Sequence, residues 1–242
     1  MKLLQSKLLC HVSLTHAFTC RKHNNIAFHV GDDTHRVIAN HQALASQLHY
    51  HAESLVHMTQ MHSNKVVCVN TEHNFTTPIE CDAIITNKPN IPLMVMTADC
   101  TPILLYEKAS HTIAAIHAGR VGAFQNIINN SITMMAEHCN SKRENIIAVL
   151  GPCICQNCYE VNEKIYEEAK ILGYAHAVLQ KEDSLYLHVN HILIQQLQEC
   201  GVRKHHIEVM EHCTSCEHHT FFSYRADGGV TGRQAGIIML RS

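Results

Sequence analysis

Cys100 and His117 lie seventeen residues apart, each in a small-residue turn beside an apolar run: MVMTADCTPILLY, then TIAAIHAG. A third candidate, His62, sits upstream in TQMHSNKV. One thiolate and two imidazoles make a three-point site for a divalent ion, with one position left for water or a substrate atom. Cys100 ends one apolar run and His117 ends the next, and neighbouring strands bring such ends together. Asp99 is the residue expected to orient a ligating histidine through its second ring nitrogen. Two other readings stay open. Cys100 is then a small buried hydrophobe beside a core histidine, or the pair is a cysteine nucleophile and its base.

Other clusters compete with this trio. Cys155-x-x-Cys158 and Cys213-x-x-Cys216 have zinc-knuckle spacing, with Cys153 close by. However, 54 residues separate the two pairs, far more than a zinc-ribbon loop. Unpaired thiols are the expected state there, and a structural zinc the alternative. Near the end, Phe221-Phe222-Ser223-Tyr224-Arg225 precedes Asp227-Gly228-Gly229 and Thr231-Gly232-Arg233. Arg225 suits an anion, because a guanidinium forks onto phosphate or carboxylate oxygens. The competing reading is a hairpin turn with a solvated arginine. The doublets His205-His206 and His218-His219 sit among polar neighbours and read as solvated surface.

With 22 histidines, a lone His says little. Hydrophobic residues make up 46% of the 242, an ordinary globular share. The formal charge of −2 offers no basic excess for nucleic acid, and no Lys/Arg block points to a membrane surface. The start, MKLLQSKLLCHVSLTHAF, interrupts its apolar residues with Gln, Ser, Lys and His, unlike a signal peptide. No run approaches the roughly 18 apolar residues of a membrane span. The 12 cysteines are therefore expected to be reduced or metal-bound in a cytoplasmic protein.

Positioning these residues requires strands and helices in mixed order. Strands are predicted over 8–19, 26–30, 66–69, 83–86, 91–98, 102–106, 113–116, 146–150, 207–210, 220–224 and 237–240. Helices are predicted over 33–50, capped by Asp33 or Thr34, and over 122–139, 162–172 and 188–200. Without strict βαβ alternation, the pattern favours an α+β or layered αββα architecture in one domain, 1–242.

Together these motifs resemble the YfiH-type laccase-domain family, also described as polyphenol oxidases or purine nucleoside phosphorylases. The resemblance runs through HAFTCR, HVGDD, TQMHSNKV, CDAIIT, TADCTPILL, AAIHAG, GPCI, CYEV, CTSC, FFSYRADGG and TGRQAG, in that order. It implies a single-domain αββα sandwich with mixed sheets. It also implies that His62, Cys100 and His117 are catalytic metal ligands, usually for Zn2+, with Cu2+ accepted by the same donors. The implied reactions are phosphorolysis of adenosine, inosine, guanosine and methylthioadenosine, and deamination of adenosine. The implied partners are a purine nucleoside and phosphate, not nucleic acid or membrane, and the chain is a monomer or homodimer. Copper-dependent phenol oxidation is the older alternative. A multicopper cluster calls for several His-x-His pairs, whereas one is found, His49-Tyr50-His51. A metal-buffering protein, suggested by the His and Cys abundance, fits poorly with an apolar framework around the trio. One departure stands out. The family run His-Ala-Gly-Trp-Arg-Gly reads His117-Ala118-Gly119-Arg120-Val121-Gly122 here; if the family arginine contacts substrate, another residue must replace it, Arg120 and Arg225 being the candidates.

Overall fold

The computed structural model describes residues 3–242; the first two residues of the amino-terminal run considered above lie outside the described residues. In chain order the strands are β1 (Leu14–Phe18), β2 (Met58–Thr59), β3 (Val66–Cys68), β4 (Ile79–Glu80), β5 (Ala83–Thr86), β6 (Leu93–Thr97) and β7 (Thr101–Glu107). They continue with β8 (Thr112–Ala118), β9 (Ile147–Leu150), β10 (Glu160–Val161), β11 (Val178–Lys181), β12 (Ser184–Leu187), β13 (Ile207–Val209) and β14 (Gln234–Leu240). The helices are α1 (Thr34–Leu48), α2 (Arg120–Phe124), α3 (Ile127–Cys139), α4 (Glu163–Ile171) and α5 (Val189–Glu199).

Six strands form a mixed sheet in the order β13-β9-β7-β8-β5-β3, and three form an antiparallel sheet in the order β1-β14-β6. Alternate residues of a strand point to opposite faces, so each inner strand feeds two cores. Ile85, Ile103, Leu105, Ala114 and Ile116 pack against α3 and α5 through Ile128, Ile132, Ile192 and Leu193. The opposite face, with Ile84, Leu104, Ile113 and Ala115, meets Phe18, Leu93, Val95 and Ile238 of the smaller sheet. That sheet's outer face, Ala17, Met94, Met96 and Ile237, is covered by Leu44 and Leu48 of α1. The result is the expected αββα sandwich.

Local chemistry explains where the elements stop. Asp33 caps α1, its carboxylate accepting the Arg36 N–H at 2.9 Å, and His49 closes it in a left-handed conformation. The helix expected over 122–139 is two helices. Asn126, at φ 56°, breaks the run and caps α3 by accepting the Asn129 N–H. Three other expectations fail in instructive ways. Residues 26–30 hold a 3-10 turn, Phe28–Val30, rather than a strand. Only Leu14–Phe18 of the 8–19 run is strand. Residues 220–224 form turns instead of a strand: Phe221 and Phe222 are buried, but their backbone groups bond to Glu217, Arg21 and Gln234. The β11–β12 hairpin lies outside every predicted strand.

Candidate metal centre

Register alone brings most of the site together. β5 and β8 pair antiparallel with Ala83 opposite Ile116, which places Asp82 opposite His117. The His117 N–H donates to the Asp82 carbonyl at 2.7 Å, so the pairing extends one step past β5. β7 and β8 pair with Thr101 opposite Ala118, which places Cys100 opposite Gly119. His117 continues the face of Ile113 and Ala115, between the two sheets. His62 arrives on the segment after β2. Gln60 anchors that segment to the end of β6, donating Nε2 to the Met96 carbonyl at 2.7 Å and accepting the Met96 N–H at 2.8 Å.

The donor atoms of His62, Cys100 and His117 lie within 4.8 Å of one another. His62 Nε2 is 3.9 Å from Cys100 Sγ, and the two imidazoles meet edge to face with centroids 4.8 Å apart. Gly119 makes room for the thiol: a Cβ there would sit 2.8 Å from Cys100 Sγ and 3.5 Å from His62 Cδ2. His62 (φ 57°) and Asp99 (φ 87°) both hold left-handed backbone that side chains other than glycine's rarely adopt. Such conformations persist where the surroundings over-determine them, often at functional sites.

The residue that orients the histidine is Asp82, not Asp99. Asp82 is fully buried and its Oδ1 accepts from His117 Nδ1 at 2.8 Å, which turns Nε2 toward Cys100. The same carboxylate accepts the backbone N–H groups of Met61, His62 and Ser63 and the Ser63 hydroxyl. One acid thus aims one imidazole and shapes the turn that carries the other. Asp99 serves a different loop. It accepts from Thr214 Oγ1 at 2.6 Å, Ser223 Oγ at 2.7 Å and the Arg225 N–H at 2.6 Å, pinning the FFSYR segment against the Cys100 turn.

Electrostatics follow from this geometry. Burial pushes the Cys100 thiol up, but the charge and hydrogen bonds of His117, then of His62, outweigh it and bring the thiol down to about 6. Burial likewise disfavours the His117 cation, yet the Cys100 charge and the Asp82 hydrogen bond raise it to about 9. Asp82 is held at about 2: burial opposes its charge, and the His117 and Ser63 hydrogen bonds prevail. Without a metal, the pair is therefore thiolate and imidazolium between about pH 6 and 9.

The donors fit a divalent ion. A thiolate and two imidazoles are normal zinc ligands, and a carboxylate behind one histidine is the usual orienting partner. A cation also replaces the proton that His117 would otherwise carry. Binding should therefore release one proton per ion between about pH 6 and 9, since His117 must give up its proton and Cys100 has already lost its own. The zinc association constant should rise about tenfold per pH unit across that window and level off above it. Competition with a chromophoric chelator measures this; a constant independent of pH there would refute the assignment. Asp82→Asn should weaken zinc binding about 10- to 100-fold in the same assay, because a carboxamide directs its NH2 at groups that are themselves donors. The Asp82 contribution to stability has the usual sign for a depressed carboxyl. It is present above the unfolded value near 4 and disappears as pH falls through about 2.

The trio opens on a cavity of about 700 Å³, lined also by Phe28, Gln60, Tyr159, Tyr224, Arg225 and Arg233. That volume lies within the roughly 300–1,000 Å³ of small-molecule clefts. Arg225 lies on the cavity wall. Its Nη1 and Nη2 donate to the carbonyls of Cys158 and Glu160, and its guanidinium lies 5.3 Å from the Tyr159 ring centroid. Arg120 also lines the cavity but is paired with Glu168 at 2.9 Å. Neither histidine doublet reaches the cavity, nor do His49 and His51.

Residues 14–241 match the model of a family described as multi-copper polyphenol oxidoreductase laccase. The chain belongs to this laccase-domain family. Among relatives, it is 34% identical to a purine nucleoside phosphorylase of Corynebacterium glutamicum over 219 residues, 89% of this chain and 86% of that protein. It is 28% identical to a purine nucleoside phosphorylase of Bacteroides thetaiotaomicron, covering 96% and 92%. The solved structure of the hypothetical protein YfiH of Bacillus licheniformis superposes with a TM-score of 0.89 at 29% identity, covering 94% of this chain and 93% of that one. YlmD of Geobacillus stearothermophilus gives 0.90 at 26% identity, covering 98% and 94%. Within this laccase-domain protein, the described residues assemble two groups of at least three metal-type donors: the trio, and Cys155, Cys158, Cys213 and Cys216. A multinuclear copper cluster needs more clustered histidines than either group supplies.

Proposed function

We propose that the protein is a zinc-dependent purine nucleoside phosphorylase, acting on adenosine, inosine, guanosine and methylthioadenosine, that also deaminates adenosine. The observation that carries this reading is the open side of the His62–Cys100–His117 trio, which faces a cavity walled by both aromatic rings and guanidinium groups. The names of the relatives point the same way. Zn2+ fits the thiolate-bearing donor set, and Cu2+ is the alternative those donors accept. Bound there, the ion supplies Lewis-acid polarisation of a substrate atom.

The chain's own residues provide the rest. Phe28, Tyr159 and Tyr224 offer ring faces for a purine. Arg225 is the phosphate residue: two of its five N–H donors are committed to carbonyls, which fixes the fork while leaving donors for an anion. Arg120 is a poorer choice because Glu168 neutralises it. Arg233, whose Nη1 is held by the Thr231 and Gly232 carbonyls, brings a second cation to the same wall. In phosphorolysis, a phosphate oxygen bonds to the anomeric carbon as the carbon–nitrogen bond to the purine breaks. The purine leaves with the bonding electrons and takes up a proton. The transition state has oxocarbenium character, as in other glycosidic cleavages. In deamination, water replaces the 6-amino group of adenine and ammonia departs. We place the protein in the cytoplasm, where nucleosides and phosphate are at hand; no helix among the described residues is long and apolar enough to cross a membrane.

The test is a product analysis of a nucleoside panel with and without phosphate. Adenosine should yield adenine and ribose 1-phosphate only when phosphate is present, and inosine in either case. Absence of free base from every nucleoside in phosphate would overturn the phosphorylase reading.

A further inference from the structure

Outside the nucleoside cavity's own chemistry, four sulfurs converge that the reaction does not use. Cys155, Cys158, Cys213 and Cys216 come from two loops 54 residues apart, and their Sγ atoms all lie within 4.8 Å of one another. None is in a disulfide. Each loop contributes a Cys-x-x-Cys turn. Cys155 precedes the 3-10 turn Gln156–Cys158, and Cys213 begins the turn that runs to Cys216. The loops are also joined by backbone. Cys153 and Cys213 form a parallel bridge, with the Cys153 N–H donating to the His212 carbonyl and the Thr214 N–H to the Cys153 carbonyl.

From this geometry we infer that Cys155, Cys158, Cys213 and Cys216 bind a second divalent ion, a tetrahedral four-thiolate zinc with a structural role. Four sulfurs at about 2.3 Å from one zinc stand about 3.8 Å apart. The observed separations straddle that value: Cys158 to Cys216 is 3.3 Å and Cys155 to Cys216 is 4.0 Å. Backbone donors already face one ligand as they would a thiolate: the N–H groups of Cys155 and Cys216 point at Cys213 Sγ, at 3.2 and 3.3 Å. With four sulfurs the coordination is closed, so this ion takes no substrate, unlike the open trio.

Its position explains its use. The segment after Cys153 forms part of the cavity wall: Ile154 and Tyr159 line it, and the Ile154 N–H donates to the Asp99 carbonyl. The Cys158 carbonyl holds Arg225, and Thr214 holds the Asp99 carboxylate. A zinc joining these turns fixes Tyr159 and Arg225 relative to the Cys100 turn. The large separation in sequence is bridged by β9 and β13, whose parallel pairing delivers both loops to the same end of the sheet.

The test uses a chain whose trio is disabled. His62→Ala/Cys100→Ala protein, purified without added metal and confirmed to melt cooperatively, should retain one zinc per chain, against two in the parent. Adding Cys213→Ser/Cys216→Ser should remove it. Should the quadruple variant fail to fold, loading the double variant with Co2+ gives the same answer, through intense thiolate-to-cobalt charge-transfer absorption. A double variant that carries no zinc and develops no such absorption overturns the proposal. So does mass spectrometry finding Cys155, Cys158, Cys213 and Cys216 in disulfides. The inference is independent of the nucleoside reading, since metal content is measured in protein that the reading predicts to be inactive.

Discussion

Replacing Cys100 with alanine should lower kcat/KM for phosphorolysis by at least about 10³-fold, a loss of about 4 kcal/mol of transition-state stabilisation. The fold should survive, since Cys100 is half-buried at a strand end and the replacement is small. What disappears is the anionic donor of the trio, and with it the charge that balances His117. Steady-state kinetics beside metal analysis checks this. A variant with parental activity would remove the site from the reaction. The loss would not by itself separate a metal centre from a thiol hydrolase, because Asp82, His117 and Cys100 are also aligned as acid, base and nucleophile. His62 separates them. It is exposed, and Asp82 touches only its backbone N–H, so a thiol hydrolase has little use for its ring. In a metal centre it is one of three ligands. His62→Ala should therefore lose the trio's zinc and activity together. Activity kept at the parental level in this variant, and resistant to chelators, would favour the hydrolase.

Gly119→Ala should be nearly as damaging to metal binding while adding a single methyl. No unusual backbone angle is at stake; the effect is steric. The new Cβ would meet Cys100 Sγ at 2.8 Å, closer than real Cβ contacts come. The thiol is attached one bond from the backbone, so it relieves the clash by rotating out of the trio. Zinc affinity should fall by at least about 100-fold, about 2.8 kcal/mol at 1.4 kcal/mol per decade. Metal-free thermal stability should change far less. Titration with a competing chelator and a metal-free melt measure the two effects. Unchanged affinity would mean that Cys100 does not point at the ion.

These residues also show what was legible before the structure. Cys100 and His117 stand out because each follows or ends an apolar run; in the structure the start of β7, next to Cys100, pairs with the end of β8, which carries His117. Asp82 does not stand out. Its partner is 35 positions away, and only the β5–β8 register makes them neighbours. Adjacency to Cys100 in the chain points to Asp99 for the role that Asp82 fills. Its left-handed backbone instead turns the carboxylate toward Thr214, Ser223 and Arg225. Sequence separation argues against the four-cysteine group, yet it says nothing once two parallel strands end side by side. The layers are legible because α3 and α5 space their apolar residues helically and the inner strands are near-continuous buried runs. The Phe221–Tyr224 run is not, because aromatic residues favour strands, whereas here the rings are buried from a turn whose backbone is satisfied by Arg21 and Gln234.

The most direct measurement is anomalous diffraction at the zinc edge from crystals grown with zinc. The account predicts a peak about 2.0–2.1 Å from Nε2 of both His62 and His117 and about 2.3 Å from Cys100 Sγ, with its fourth side turned to the cavity. A zinc-saturated crystal with no peak bound by these three residues would contradict it.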